Sequence, residues 1–250
     1  MTIVPADPLA PLMDLPGVRE AVTRARDAVT AAHRHPANRR GWPTTAAEAS
    51  VRAARASAAL DGGSPTLPGD GSVRDPVLAG ALRVAEALGG LLSTWRRAPL
   101  QALARLHVLA AADLLPGPQL GRPDSSRDVT ARLEGLASLV TGGSRVAAPV
   151  LVAVVHGELL ALAPFARSNG VVARAAARLT LVSSGLDSKG LIVPEVAHLR
   201  REGQYRTAAA AFASGDALAV GRWVVHCCTA LAAGSREAVS IAEAVTASSG

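Results

Sequence analysis

The chain is poor in aromatic residues: Trp42, Trp95, Trp223, Tyr205, Phe165 and Phe212 are all that its 250 positions hold. A core must therefore be assembled from Leu, Val and Ala. Ala-rich runs with few β-branched stretches favour closely packed helices over a β-sandwich. Lysine is nearly absent as well. Lys189 stands beside 25 arginines in a total of 26 basic residues. Cysteine is limited to Cys227 and Cys228, adjacent within an apolar helical pattern. Neighbours on a helix point about 100° apart, so a disulfide between them would be strained, and buried reduced thiols are expected. His33, His35, His198 and His226 show no ligand spacing, and no metal site is expected.

Long apolar runs are missing too. The longest, Ala147 to Phe165, is interrupted by Pro149, His156, Glu158 and Pro164 and falls short of a membrane span. Met1 to Leu15 has no positive region followed by an apolar core, so no secretory leader is expected. These absences predict a cytoplasmic protein with no membrane partner. What is present is ample core material, with 49% hydrophobic against 18% charged residues. The net charge of +6 invites a nucleic-acid reading. The arginines, however, are spread along the chain apart from pairs such as Arg39-Arg40, Arg96-Arg97 and Arg200-Arg201. That distribution fits solvated helical faces better than a nucleic-acid footprint.

The pattern predicts an all-α chain. Residues 1–43 read as an N-terminal arm, extended to about residue 15, followed by a first helix from Gly17 to His33 and a connector from His35 to Pro43. Residues 44–250 read as a single globular helical unit. Thr44 or Thr45 is expected to cap its first helix, with Glu48 completing a capping box, and Asp61-Gly62-Gly63 to end it. A turn-rich loop over 61–72 precedes helices at about Asp75–Thr94 and Pro99–Leu114. Pro116 to Ser126 is too rich in Pro and Gly for a helix and suits a short hairpin or flap. Helices over Arg127–Val140, Ala147–Leu162 and Gly170–Ser184 follow. Shorter ones are expected at about Pro194–Glu202, Gln204–Ala213, Asp216–Ala233 and Ser235–Ala247.

The informative stretch joins the two central apolar helices: Ala163-Pro164-Phe165-Ala166-Arg167-Ser168-Asn169-Gly170. Asn169 suits an N-cap, and Gly170 lets the backbone approach a ligand closely. Free N–H groups at the start of the second helix make an anion site, with Arg174 one turn further on. Local chemistry alone favours a capped interhelical turn with no ligand.

This stretch resembles the signature of Fic (Fido-fold) proteins, His-Pro-Phe-x-(Asp/Glu)-Gly-Asn-Gly-Arg-x-x-Arg. Pro164, Phe165, Asn169, Gly170 and Arg174 match it. Ala163 stands at the histidine, Arg167 at the acidic position, Ser168 at the first glycine and Val171 at the first arginine. His156 lies where the family often has an upstream helix histidine. Ser57-Ala-Ala-Leu-Asp61-Gly62 is similar to the inhibitory motif Ser/Thr-x-x-x-Glu-Gly/Asn, with Asp for Glu. The run from Tyr205 to Gly215-Asp216 resembles the tyrosine-bearing helix that precedes the family's last helices.

The resemblance implies a Fic/Fido-like all-α domain with a central apolar helix pair and a short flap. Fic enzymes typically transfer AMP from ATP to a target hydroxyl, with the histidine as general base and the acidic residue holding Mg²⁺. Alanine at 163 moves no proton, and a lost general base costs roughly 10²–10⁴ in rate. Arg167 would repel Mg²⁺. The expectation is a pseudoenzyme with no catalytic residue and no certain cofactor, Mg²⁺ being disfavoured. ATP or another nucleotide could be held by Arg167, Ser168, Asn169, Gly170 and Arg174, and Ser57, Asp61 and Gly62 would form the inhibitory element. A protein partner or self-association is the competing use of the fold. A nucleotidyl- or phosphoryl-transferase with altered catalytic residues, and an Arg-rich nucleic-acid module, are the remaining alternatives. His156 lies about 10 Å along the helix axis from Ala163, too far to replace the base, and reads as a core histidine with a satisfied hydrogen bond. His107 reads as packing and Arg122 as a solvated loop residue.

Overall fold

The computed structural model describes residues 6–69 and 71–248. Among these residues there are helices and no strands. The first ten are α1 (Val18–Arg34), α2 (Pro36–Arg40), α3 (Trp42–Leu60), α4 (Pro76–Arg97), α5 (Pro99–Ala111), α6 (Arg127–Ser138), α7 (Ala148–Leu162), α8 (Asn169–Ser183), α9 (Pro194–Arg200) and α10 (Glu202–Phe212). The last is α11 (Ala217–Ser248).

The bundle is built around α7 and α8, which fold back on each other across a six-residue break. The sequence explains their place. In α7, Val150, Val152, Ala153, Val154, Val155 and Leu159 are buried on several faces, as expected of a helix that is apolar over most of its surface. In α8, eleven consecutive residues from Val171 to Leu181 are buried. On one side of this pair, Val18, Val22 and Val29 of α1 meet Trp223, Val224 and Leu231 of α11. On the other, Leu78, Val84 and Trp95 of α4 pack with Leu103 and Leu106 of α5 against Val155, Leu159 and Leu179. The α1 pattern is plainly amphipathic: Val18, Ala21, Val22, Ala25, Val29 and Ala32 recur every three or four positions.

Several expected boundaries are corrected. The connector at 35–43 holds α2, started by Pro36, whose missing N–H is no loss in a first turn. Thr45 does not cap α3, because the helix already begins at Trp42. Its hydroxyl instead donates to the Gly41 carbonyl. The N-terminal arm is not extended throughout. Ala10–Asp14 forms a 3₁₀ turn, and Asp7 accepts bonds from Leu9 N and from Ser144 Oγ and Arg145 N across the fold. Residues 1–5 of that arm lie outside the described residues. The 116–126 stretch holds a 3₁₀ turn, Gly117–Gln119, in place of a hairpin. The two expected C-terminal helices are one 32-residue helix. Gly234 does not break it. A Cβ there would lie 2.6 Å from the Val193 carbonyl carbon, so glycine is kept for a close backbone approach. By length and composition alone α4 and α11, each with mean hydropathy 1.3, would suffice to cross a membrane, a point the sequence reading overlooked. In the bundle, half of the apolar stretch of α11 is buried but only 22% of that of α4, whose inner face packs on α5 and α8.

Candidate functional site: an anion seat at the start of α8

The break between α7 and α8 is held at both ends by left-handed residues. Ala163, the C-cap of α7, has φ 43°, and Ser168, the N-cap of α8, has φ 59°. These are the only non-glycine residues with positive φ among those described. Between them Phe165 is buried and stacks on His107, with ring centroids 4.1 Å apart and planes 8° from parallel. The His107 ring accepts from Gly121 N at 2.9 Å. Asp124 N donates to the Pro164 carbonyl at 2.8 Å, so the 116–126 segment lies against the loop as a flap without a hairpin.

Asn169 is not the N-cap. It is the first residue of α8, and its side-chain amide closes the loop from within. Phe165 N donates to Oδ1 at 2.9 Å and Nδ2 donates back to the Phe165 carbonyl at 2.6 Å. Ser168 takes the cap position without a capping bond, and its hydroxyl reaches the Ala110 carbonyl at 3.5 Å. Arg167 and Ala163 are exposed, as is Arg122.

At the start of α8 the Asp61 carboxylate meets the helix N–H groups and Arg174. Asp61 follows the last residue of α3, and Gly62 turns the chain away with φ +83°. Val171 N donates to Asp61 Oδ2 at 3.1 Å, and Arg174 Nη2 donates to Oδ1 at 2.6 Å. Gly170 makes room. A Cβ at that position would lie 2.8 Å from the Asp61 carboxyl carbon.

Arg174 is 3% exposed, and every nitrogen of its guanidinium is engaged. Nε donates to Ser57 Oγ at 2.8 Å, Nη2 also donates to the Ser57 carbonyl at 2.9 Å, and Nη1 donates to Tyr205 Oη at 3.2 Å. Burial works against the Arg174 charge. Tyr205 and Asp61 outweigh it and hold its pKa above the ordinary value. Behind it Tyr205 Oη lies 2.9 Å from His156 Nε2. Burial, and then the Arg174 charge, push the His156 pKa well down, which favours the neutral ring, and Nε2 can then accept a hydrogen bond from the Tyr205 hydroxyl. His198 packs on Tyr205 with centroids 4.5 Å apart, and its Nδ1 lies 3.2 Å from His226 Nε2. Burial first, then His156 and His226, also lower the pKa of His198 well below the ordinary histidine value.

An open groove of about 450 Å³ runs over this arrangement, lined by Asp61, Asn169, Gly170, Arg174 and Tyr205, together with Arg206 of α10. Its floor is apolar, from Leu160 and Ala161 to Ala209 and Ala213. Arg167 and Ser168 are not part of it, so two of the five expected phosphate ligands lie apart from the other three.

Comparison with solved structures settles the architecture. A Fic family protein from Desulfovibrio desulfuricans G20 superposes with a TM-score of 0.73 at 21% identity, over 90% of this chain and 74% of that one. This is the Fic fold. Two structures of Fic-1 from C. elegans agree, with TM-scores of 0.71 and 0.67, each at 16% identity. They cover 94% and 92% of this chain and 74% and 73% of their own. No protein-family profile and no curated protein matches the sequence. The Fic fold brings Ser57 and Asp61 together with Gly170 and Arg174, over a hundred positions later in the chain.

Sequence reading missed Arg206. Its only local signal is Glu202 four positions earlier, a spacing common on any exposed helix. It also missed that Tyr205 joins Arg174 to His156, since nothing in the order of residues shows which helix faces meet.

Proposed function

We propose that this Fic-like protein is a nucleotide- or phosphate-binding module held closed by its own Asp61, and that it does not carry out ordinary AMP transfer. One observation carries the reading: a carboxylate already occupies the seat formed by the Val171 N–H and the Arg174 guanidinium. Helix N-termini with a neighbouring arginine favour phosphate as they favour carboxylate. In the absence of Asp61 the same donors would face an open groove of about 450 Å³, large enough for a nucleotide.

Loss of transfer chemistry rests on three positions. Ala163 offers no proton acceptor where Fic proteins place their base. Arg167 brings positive charge to the metal-binding position. His156 is committed to Tyr205 and does not line the groove. A missing base alone costs roughly 10²–10⁴ in rate.

The test is ATP binding by calorimetry, with and without Mg²⁺, on wild type, Asp61→Ala and Arg174→Ala. Binding that strengthens in Asp61→Ala, disappears in Arg174→Ala and is indifferent to Mg²⁺ supports the module. Absence of binding in wild type and in folded Asp61→Ala overturns it and leaves the fold as a protein-interaction scaffold. Labelled product transferred from ATP by the wild type would overturn the inactive reading alone.

A further inference from the structure

We propose that Arg206 and Arg174 form a two-arginine clamp for a pyrophosphate-bearing ligand, a clamp that the end of α3 occupies in this structure. The inference rests on the reading of the groove as a phosphate site and adds to it a second cation from a different helix.

Both guanidinium groups grip the same turn of α3. From α8, Arg174 Nη2 holds the Ser57 carbonyl at 2.9 Å and Asp61 Oδ1 at 2.6 Å. From α10, Arg206 Nη2 donates to the Leu60 carbonyl at 2.7 Å, and the guanidinium forms an ion pair with Glu202 of its own helix, Nε and Nη2 lying 2.8 and 2.7 Å from Oε1. The last carbonyls of a helix carry partial negative charge, so α3 presents an anion-like end, with Asp61 adding a full charge. The two arginines therefore treat the end of α3 as they would a substrate anion.

Their environments differ in a useful way. Arg174 is almost wholly buried, so its charge is fixed in place for one phosphoryl group. The Arg206 side chain is 58% exposed and lines the open groove, and none of its three contacts uses Nη1. That leaves two N–H donors for a second group at the mouth. Position 171, where Fic proteins carry another motif arginine, holds a buried valine and contributes only its backbone N–H. Arg206, paired with Glu202 through Nε and Nη2, brings a second guanidinium to the groove from outside the motif. A ligand with two linked phosphoryl groups matches this pair, while a single phosphate engages Arg174 alone.

The test uses the full chain with Asp61→Ala, which empties the seat, and inorganic phosphate and pyrophosphate as probes in calorimetry. One added charge-assisted hydrogen-bonding group predicts pyrophosphate binding about tenfold tighter than phosphate. Adding Arg206→Gln should erase most of that preference and leave phosphate affinity nearly unchanged. Adding Arg206→Lys should keep most of it. Circular dichroism melts of all variants establish folding. Should Arg206→Gln leave the preference intact, Arg206 only caps α3 and the clamp is wrong. Phosphate binding with no pyrophosphate preference overturns the clamp while the phosphate site stands. If neither anion nor ATP binds folded Asp61→Ala, the phosphate reading fails and the clamp with it.

Discussion

Gly170 and Asp61 share one space: the missing side chain of the first is filled by the carboxylate of the second. The Asp61 carboxyl carbon lies 2.8 Å from where a Gly170 Cβ would stand. This makes the pair separable by a double-mutant cycle. Gly170→Ala should push Asp61 off Val171 N and Arg174, and destabilise the protein by about 1–3 kcal/mol. In an Asp61→Ala background the same change should cost much less. Urea unfolding of the four proteins measures the coupling, and additive losses would show that the two residues do not compete for that space.

Arg174 is the buried hub of the site, and its removal takes the side-chain donor from Ser57 and Tyr205 and leaves Asp61 with Val171 N. Arg174→Met fills the volume but not the bonds. Breaking one side of a buried pair costs about 3–5 kcal/mol. Asp61 keeps 20% side-chain exposure and can be partly rehydrated, which places the expected loss at the low end. A shift in urea midpoint of under 1 kcal/mol equivalent would mean that the network is solvated in solution.

Stability should fall with acid. His156 and His198, lowered by burial and neighbouring positive charge, and His226, lowered by burial and Arg201, resist protonation in the fold. The unfolded chain takes up protons as pH drops through about 6.5, which the folded chain does not do until lower pH. Their contribution is therefore fully present above about 6.5 and lost as pH falls towards the depressed folded values. Each fully shifted histidine contributes a slope of about 1.4 kcal/mol per pH unit. Glu195, raised by burial despite Arg178, works the other way and offsets part of the loss. Urea midpoints at pH 7.5 and 5.5 should differ, with the lower stability at 5.5. Equal midpoints would contradict the buried, neutral column.

Ala163 stands in left-handed backbone, a conformation that costs an L-residue about 1 kcal/mol. Ala163→Gly should raise stability by about 0.5–1 kcal/mol, the strain relief exceeding the added unfolded-state entropy. Thermal melts decide it, and a lower melting temperature would show that the loop holds Ala163 without strain. Histidine is among the residues enriched in this backbone region. Ala163→His should therefore fold with no large loss, which the same melts test.

Much of the bundle was legible because helices announce themselves locally. The three-to-four spacing of Val18, Val22, Ala25 and Val29 marks α1, and the predominance of apolar residues in α7 marks a buried centre. The errors are also local. Thr45 and Asn169 have capping chemistry, yet each sits one or more positions inside a helix whose start is set by tertiary contacts. Gly234 and Ser235 look like a break, yet packing against Val193 and Pro194 carries α11 straight through.

Residue order by itself determined that this chain is all-helical, that a loop with Pro164, Ser168 and Asn169 joins two apolar helices, and that Gly170 and Arg174 lie in the first turns of the second. These follow from periodicity and backbone preference, which act over a few residues. Only the tertiary structure decided that Asp61, 110 positions before Val171, would occupy the seat at the start of α8. It alone decided that Arg174 would be backed by Tyr205 and His156, and that Arg206 would share its hold on α3. Such contacts depend on which helix faces meet across the bundle. That is set by packing the whole core at once, and no short window of sequence contains it.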